Sequence, residues 1–200
     1  MGTVAKTDKP PAVEPKPRAK RARPLPRTIS RPELLVGGSD AEFRRLVHNL
    51  FAFLARHDEI RSGHAKCIGL AGTEYTVLIS IAHLAGRGDV NIKTVGAHLH
   101  VSGAFVTSVV RRLGERGLVE KRADPGDRRR VTLTVTEAGY GLLERLAPMQ
   151  RQVNDVEFDG LGGKDFATLL EILDRLIDSS NRAVSLQHYL LSEAEFDRAP

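Results

Sequence analysis

Between Ser39 and Ser180 the apolar residues recur at helical spacing, interrupted once by a stretch that alternates every second residue. Ser39-Asp40-Ala41-Glu42 reads as a capping box. Phe43, Leu46, Val47, Leu50, Phe51 and Leu54 follow as one stripe, predicting a first helix to about Ile60 that Ser62-Gly63 ends. A second helix is predicted from Thr73 to about Leu84, with Val77, Leu78, Ile81 and Leu84 inward, stopped by Gly86-Arg87-Gly88-Asp89. Asn91 caps a short third helix that turns Val95 and Leu99 inward, and His100-Val101 makes a tight connection. Ser102 then caps a fourth helix to about Arg116. Its buried stripe is Val106, Val109, Val110 and Leu113, which leaves Gly103, Ala104, Thr107, Ser108 and Arg111 on the opposite face. Gly117 suits a helix C-terminus.

The alternating stretch follows. Residues 118–122 and 131–136 are predicted strands, the second with Val131, Leu133 and Val135 on one face and Thr132, Thr134 and Thr136 on the other. Ala123-Asp124-Pro125-Gly126-Asp127 is turn sequence, and Arg128-Arg129-Arg130 puts three guanidinium groups at the hairpin tip. Thr136 caps a long helix from Glu137 to about Glu157 that Pro148 is expected to kink. Leu161-Gly162-Gly163 breaks it, a last helix runs from Lys164 to about Ser180, and residues 183–200 are expected to add a short docked helix. Helix, tight turn, helix and basic-tipped hairpin together predict a mainly α fold with a small β-hairpin wing, a winged helix-turn-helix.

Charge sharpens this picture when split along the chain. Of 30 Lys+Arg and 25 Asp+Glu in 200 residues, residues 1–38 hold nine bases and three acids, net +6, leaving the rest near neutral at −1. Seven of the ten prolines also fall between Pro10 and Pro32, so residues 1–38 are expected to form a disordered, basic, proline-rich arm. Its Lys16-to-Arg23 run suits tracking phosphates, or serves only to solubilise. Within the near-neutral remainder, Arg111 to Arg130 gathers eight bases against four acids, where a helix and a wing would meet a duplex. No stretch approaches the ~20 apolar residues of a membrane helix, and no signal-peptide pattern opens the chain. The single Cys67 excludes an internal disulfide framework, and a cytoplasmic, soluble protein is expected. No nucleophile elbow, H-E-x-x-H, phosphate loop or dinucleotide fingerprint is present, which argues against an enzyme and gives no reason to expect a cofactor or metal.

Gly117-Leu118-Val119-Glu120-Lys121-Arg122-Ala123-Asp124-Pro125-Gly126-Asp127-Arg128-Arg129-Arg130-Val131-Thr132-Leu133-Thr134-Val135-Thr136-Glu137-Ala138-Gly139 resembles the wing signature of the MarR (multiple antibiotic resistance regulator) family, and Leu70 to Leu78 resembles the start of its second helix. The resemblance covers about residues 40–180. It implies a two-fold symmetric homodimer on palindromic double-stranded DNA, released by a small molecule or oxidant. It implies that Asp127 orients Arg129 into a minor groove beside Arg128 and Arg130. The major-groove face would comprise Ser102, Gly103, Ala104, Thr107, Ser108, Arg111 and Arg112. Residues 39–62 and 137–182 would form a helical dimerisation region, 63–136 the DNA-binding domain and 183–200 an extension. Val135 replaces the usual Leu, Ala71 the usual capping Thr, and Phe105 a small polar residue, so helix 2 is expected to start at Gly72 or Thr73 and Phe105 to pack beside Val109.

The family's ligand crevice would be lined here by Phe51, Leu54, Tyr75, Leu78, His57 and His83. Ala71 to Leu84 and His98 to Thr107 resemble the subgroup that responds to hydroxycinnamoyl- or benzoyl-type CoA thioesters, so the effector expected is an aromatic acid or its acyl-CoA, with Arg44, Arg45 and Arg56 available for phosphates. Competing readings are a one-cysteine redox sensor through Cys67 beside Lys66, and a winged helix used for protein contacts or nucleic-acid coating. His57, His64, Cys67 and His83 match no metal-ligand spacing.

Overall fold

The computed structural model describes residues 25–123 and 131–196. The chain divides between Phe53 and Leu54 into two compact units, taken here in turn. Of the proline-rich arm, residues 1–24 lie outside the described residues.

Structure begins ahead of Ser39. A 3-10 turn spans Pro32–Leu34, and a bridge pairs Val36 with Ser39 around Gly37 and Gly38, whose φ angles of 58° and 75° need glycine. Asp40, 2% exposed, organises this segment. Its Oδ2 accepts from the Thr28 amide at 2.8 Å and the Thr28 hydroxyl at 3.0 Å, while Arg44 bonds Oδ1 and also donates to the Pro26 carbonyl at 3.1 Å. The Thr28 amide bond, helped by its hydroxyl and Arg44 against the opposing pull of burial, holds the Asp40 carboxyl below the usual carboxylate range. The expected Ser39–Glu42 capping box is therefore not the device used. Ser39 Oγ accepts from the Ala41 amide at 3.2 Å, and Glu42 pairs with Arg45 at 3.1 Å. The first helix, α1, is Ala41–Cys67. Its stripe residues Leu46, Leu50 and Phe51 are exposed, Phe51 at 63%.

Beyond Leu54, α1 runs seven residues past its predicted end at Ile60, straight through Ser62-Gly63. Gly63 has helical backbone and costs the helix only about 1 kcal/mol, which the burial of His64 and Ala65 in the next turn outweighs. The true stop is Gly69, at φ 68°. Helix α2 is Gly72–Leu84, α3 Ile92–Leu99 and α4 Gly103–Glu115. Strands β1 (Val119–Ala123) and β2 (Val131–Val135) pair antiparallel, Val119 opposite Val135 and Ala123 opposite Val131. The core is built from Val77, Leu78 and Ile81 of α2, Val95 of α3, the α4 stripe, Leu133 and Val135 of β2, and Leu146 of the helix that follows. The Leu133 amide donates to the Val90 carbonyl at 2.7 Å, fixing β2 beside the approach to α3. Val131, at the outer end of the strand, is 36% exposed and not buried as the alternation suggested.

Thr136 caps α5 (Glu137–Glu157) through the Gly139 amide and donates to the Gly117 carbonyl at 2.7 Å, so one side chain joins the wing to α5. Helix α6, Gly163–Phe196, is a single 34-residue element. The expected break after Ser180 and separate short helix do not occur. Ser179 and Ser185 donate to carbonyls one turn back, at 2.8 and 3.1 Å, so the polar stretch satisfies itself inside the helix. The α6 stripe of Phe166, Leu170, Leu173, Leu176 and Ile177 is exposed. No single helix among the described residues is long and apolar enough to cross a membrane.

Two glycines test this packing in opposite directions. A Cβ at Gly139 would sit 2.5 Å from the Leu118 carbonyl oxygen and 2.6 Å from Val135 Cγ1, whereas one at Gly63 meets nothing within 4 Å. Gly139→Ala is expected to destabilise by about 1–3 kcal/mol and Gly63→Ala to stabilise by about 0.5–1 kcal/mol, both read from urea midpoints.

Candidate nucleic-acid interface and ligand cavity

The α3–turn–α4 unit is set by local chemistry. Asn91 Oδ1 accepts from the Lys93 and Thr94 amides at 2.9 and 3.0 Å, and Thr94 returns a bond to the Asn91 amide. His100 adopts left-handed backbone at φ 53°, which lets the Val101 amide reach the Gly96 carbonyl at 3.0 Å. A Cβ at Gly96 would approach the Val101 oxygen to 3.1 Å, so the turn closes over a glycine. Ser102 Oγ accepts from the Phe105 amide at 3.2 Å and starts α4.

Helix α4 has two distinct faces. Val106, Val109, Val110 and Leu113 are at most 1% exposed. Ser102, Gly103, Ala104, Thr107, Ser108 and Arg111 are all exposed, as the sequence pattern predicted for this face. Thr107 donates to the Gly103 carbonyl at 2.8 Å, and Arg111 pairs with Glu115 at 3.0 Å on the surface. Phe105 shares this face at 38% exposed, where packing beside Val109 was expected.

Arg112, grouped with that face in the sequence, is turned to another task. Its Nε lies 3.3 Å from Glu74 Oε1, and Arg116 donates to Glu74 Oε2 at 3.2 Å and to the Gly69 carbonyl at 3.0 Å. The same carboxylate accepts from the Ala71 amide at 3.1 Å, so Glu74 starts α2 and pins it to α4. Asp127, Arg128, Arg129 and Arg130, expected from the sequence at the hairpin tip, lie outside the described residues.

A cavity of about 240 Å³ opens where α1, α2, α3 and α5 meet. Its polar wall is His57, Arg61, His64, Tyr75, Gln150 and Asn154, and its apolar wall includes Ile79 and Leu99. Glu157 accepts from His57 Nδ1 at 3.0 Å, and the Tyr75 hydroxyl accepts from Gln150 at 3.0 Å. Burial, offset by Gln150 and Arg61, raises the Tyr75 phenol. Burial lowers the His64 imidazole, with Glu157 opposing and His57 adding to the shift. Arg61 bonds Thr76 Oγ1, yet its Nε and the Nε2 of His64 are buried without a partner.

Of the residues predicted for a ligand crevice, the structure gathers His57 and Tyr75 on this cavity. Leu78 is fully buried core, Leu54 is 57% exposed, and His83 is stacked on His98 with ring centroids 5.6 Å apart; none of the three lines it. In the N-terminal unit Arg44 is committed to Asp40, Arg45 to Glu42, and Phe51 is exposed. Arg56, on the exposed surface, pairs with Glu59 at 2.9 Å. Sequence reasoning missed Arg61, His64 and Gln150. The 57/61/64 spacing on one helix face was readable, but ending the helix at Ser62 hid it. Cys67 is the exposed last residue of α1, and no cluster of His, Cys, Asp or Glu able to hold a metal occurs among the described residues.

A capped helix pair with an exposed polar second helix, followed by a two-stranded wing, defines a winged helix-turn-helix. The MarR family model matches residues 68–130. The chain is 30% identical over 113 residues to the HTH-type transcriptional regulator MhqR of Bacillus subtilis, spanning 56% of this chain and 76% of MhqR. It is 36% identical over 83 residues to the HTH-type transcriptional repressor NicR of Pseudomonas putida, 42% of this chain and only 52% of NicR. The fold is similar to that of Bordetella bronchiseptica BpsR, whose DNA binding is regulated by 6-hydroxynicotinic acid, with TM-score 0.54, 26% identity, and 66% and 91% of the two chains covered. The protein belongs to the MarR family of transcriptional regulators.

The buried Glu74 carboxylate joins two half-exposed arginines to the start of α2, so removing it unties all three contacts at once. Glu74→Ala is therefore expected to lower stability by about 1–2 kcal/mol in chemical denaturation, while the exposed-pair control Glu115→Ala changes it by under about 0.5 kcal/mol.

Proposed function

We propose that this protein is a ligand-responsive repressor that binds a palindromic operator as a homodimer. The observation that carries the reading is the α4 face: hydroxyls and small residues from Ser102 to Ser108, with Arg111, exposed opposite a sealed valine stripe. Small residues admit a helix close to base edges, and hydroxyl and guanidinium groups supply readout there. Arg112 supports this face from behind by holding Glu74 and Ser108. Asp127 orients Arg129 for the adjacent minor groove, with Arg128 and Arg130 on the flanking phosphates.

Dimerisation is supported by apolar residues that a single copy leaves in water, namely the α6 stripe and, in the N-terminal unit, Leu46 and Phe51 of α1. A two-fold pair presents two α4 helices to half-sites about one turn, ~34 Å, apart. The division of labour follows, with residues 39–62 and 137–182 for pairing and 63–136 for DNA.

The effector is a compact aromatic acid held in the α1/α2/α3/α5 cavity, where His57 and Tyr75 meet it. A volume of about 240 Å³ suits one substituted ring, below the ~300 Å³ at which drug-sized sites begin. The nucleotide portion of a CoA thioester would have to lie outside, and the arginines considered for its phosphates are already paired. Leu99 gives the cavity leverage on DNA binding. It is the last residue of α3, adjacent to the His100 turn that aims α4, so a ligand that displaces Leu99 shifts α4 against the duplex.

The test is a gel-shift titration on an inverted-repeat duplex that the wild type binds. Arg129→Ala is expected to weaken binding by more than about tenfold, as loss of one groove contact should, with the dimer intact by sedimentation. Unchanged affinity would remove the wing from the mechanism.

A further inference from the structure

We infer that His64 is the residue by which the cavity reads ligand charge: an anionic head docks between His64 and Arg61, and His64 takes up one proton from solvent as it binds. This rests on the cavity being the effector site.

His64 is 3% exposed, nine-tenths buried and more, and it lines the cavity with its Nε2 unpartnered. One turn earlier on α1, the Nε of Arg61 is likewise buried without an acceptor. A buried polar nitrogen is ordinarily satisfied, and two on one wall are an unmet demand for hydrogen-bonding partners, which an acceptor can meet at Arg61 directly and at His64 once Nε2 carries a proton. Arg61 can only donate, so what is missing is an acceptor. A carboxylate supplies two oxygens and can meet both nitrogens at once. The Tyr75 hydroxyl accepts from Gln150 and keeps its own proton to give to the same head.

The charges facing His64 come from every element around it. Arg61 and His57 stand on its own helix, Tyr75 on α2 lies edge-on with ring centroids 6.2 Å apart, and Glu157 closes the α5 side. Glu157 is already bonded to His57 Nδ1, so it does not serve as the fixed partner of His64. Burial keeps the empty-site imidazole neutral near pH 7. An anion against Nε2 reverses the balance, because the imidazolium then has a counter-charge and a hydrogen-bond acceptor. Proton uptake and anion binding are thus linked, and affinity for a carboxylate falls as pH rises, by at most about tenfold per pH unit for one proton. A neutral amide can give its carbonyl to Arg61 and its N–H to the neutral imidazole, but it brings no counter-charge for an imidazolium and so draws no proton.

The experiment is calorimetric titration of the full chain with benzoate, nicotinate and 6-hydroxynicotinate, and with benzamide and nicotinamide, in phosphate and in Tris near pH 7. The expected result is that an acid binds at least about tenfold more tightly than its amide, with a heat that differs between buffers as uptake of close to one proton requires. In His64→Gln the uptake disappears and the acid-over-amide preference shrinks. Equal heats in the two buffers, or amides binding as well as acids, would overturn the assignment of His64 while leaving the ligand site standing. Binding of none of the acids at millimolar concentration would overturn the site itself, and this inference with it. Should His64→Gln not fold, the two-buffer comparison on the wild type decides alone.

Discussion

The Glu74 carboxylate is the constraint on which the rest of the DNA-binding unit depends. It gathers the Ala71 amide, Arg112 and Arg116 around two oxygens, and so fixes where α2 starts and how α4 lies against it. Buried charge is tolerable here because each oxygen has a cationic partner and the helix N-terminus adds its dipole. Arg112 spends its charge on this clamp, which leaves Arg111 as the outward guanidinium of the pair. Helix α2, held in this way, offers Tyr75, Thr76, Ile79 and Ser80 to the cavity. The element that holds α4 in place is thus also a wall of the cavity.

That shared wall makes a short path from ligand to DNA physically reasonable. The cavity touches Leu99 at the end of α3, and the next residue, His100, holds the left-handed turn into α4. Interiors this closely packed do not absorb displacement smoothly, so under the proposed function pressure on Leu99 would be passed on as a shift of the turn. Thr136 anchors the other end by joining the wing to α5, whose Gln150 and Asn154 complete the cavity.

Much of this was legible in the sequence because it rests on local rules. The valine stripe of α4, the inward Leu133 and Val135 of β2, and the caps at Asn91, Ser102 and Thr136 each follow from spacing and side-chain type, and all are present. What was illegible rests on contacts between distant residues. Nothing near Glu74 signals a partner 38 or 42 positions away, and nothing near Asp40 signals Thr28. Gly63 shows local preference overridden by burial, and that one override concealed Arg61 and His64 of the cavity's polar wall. The long α6 reads as two helices in the sequence because its apolar stripe ends at Ile177 and a polar stretch follows, where Ser179 and Ser185 find carbonyls in their own helix.

The central claim is that the exposed α4 face reads base sequence from a two-fold pair. Selection from a random duplex library, with the full chain at physiological salt, tests it most directly. The account predicts enrichment of an inverted repeat whose half-sites are about one helical turn apart. Retention of duplexes without any common sequence, falling away only as salt rises, would contradict it.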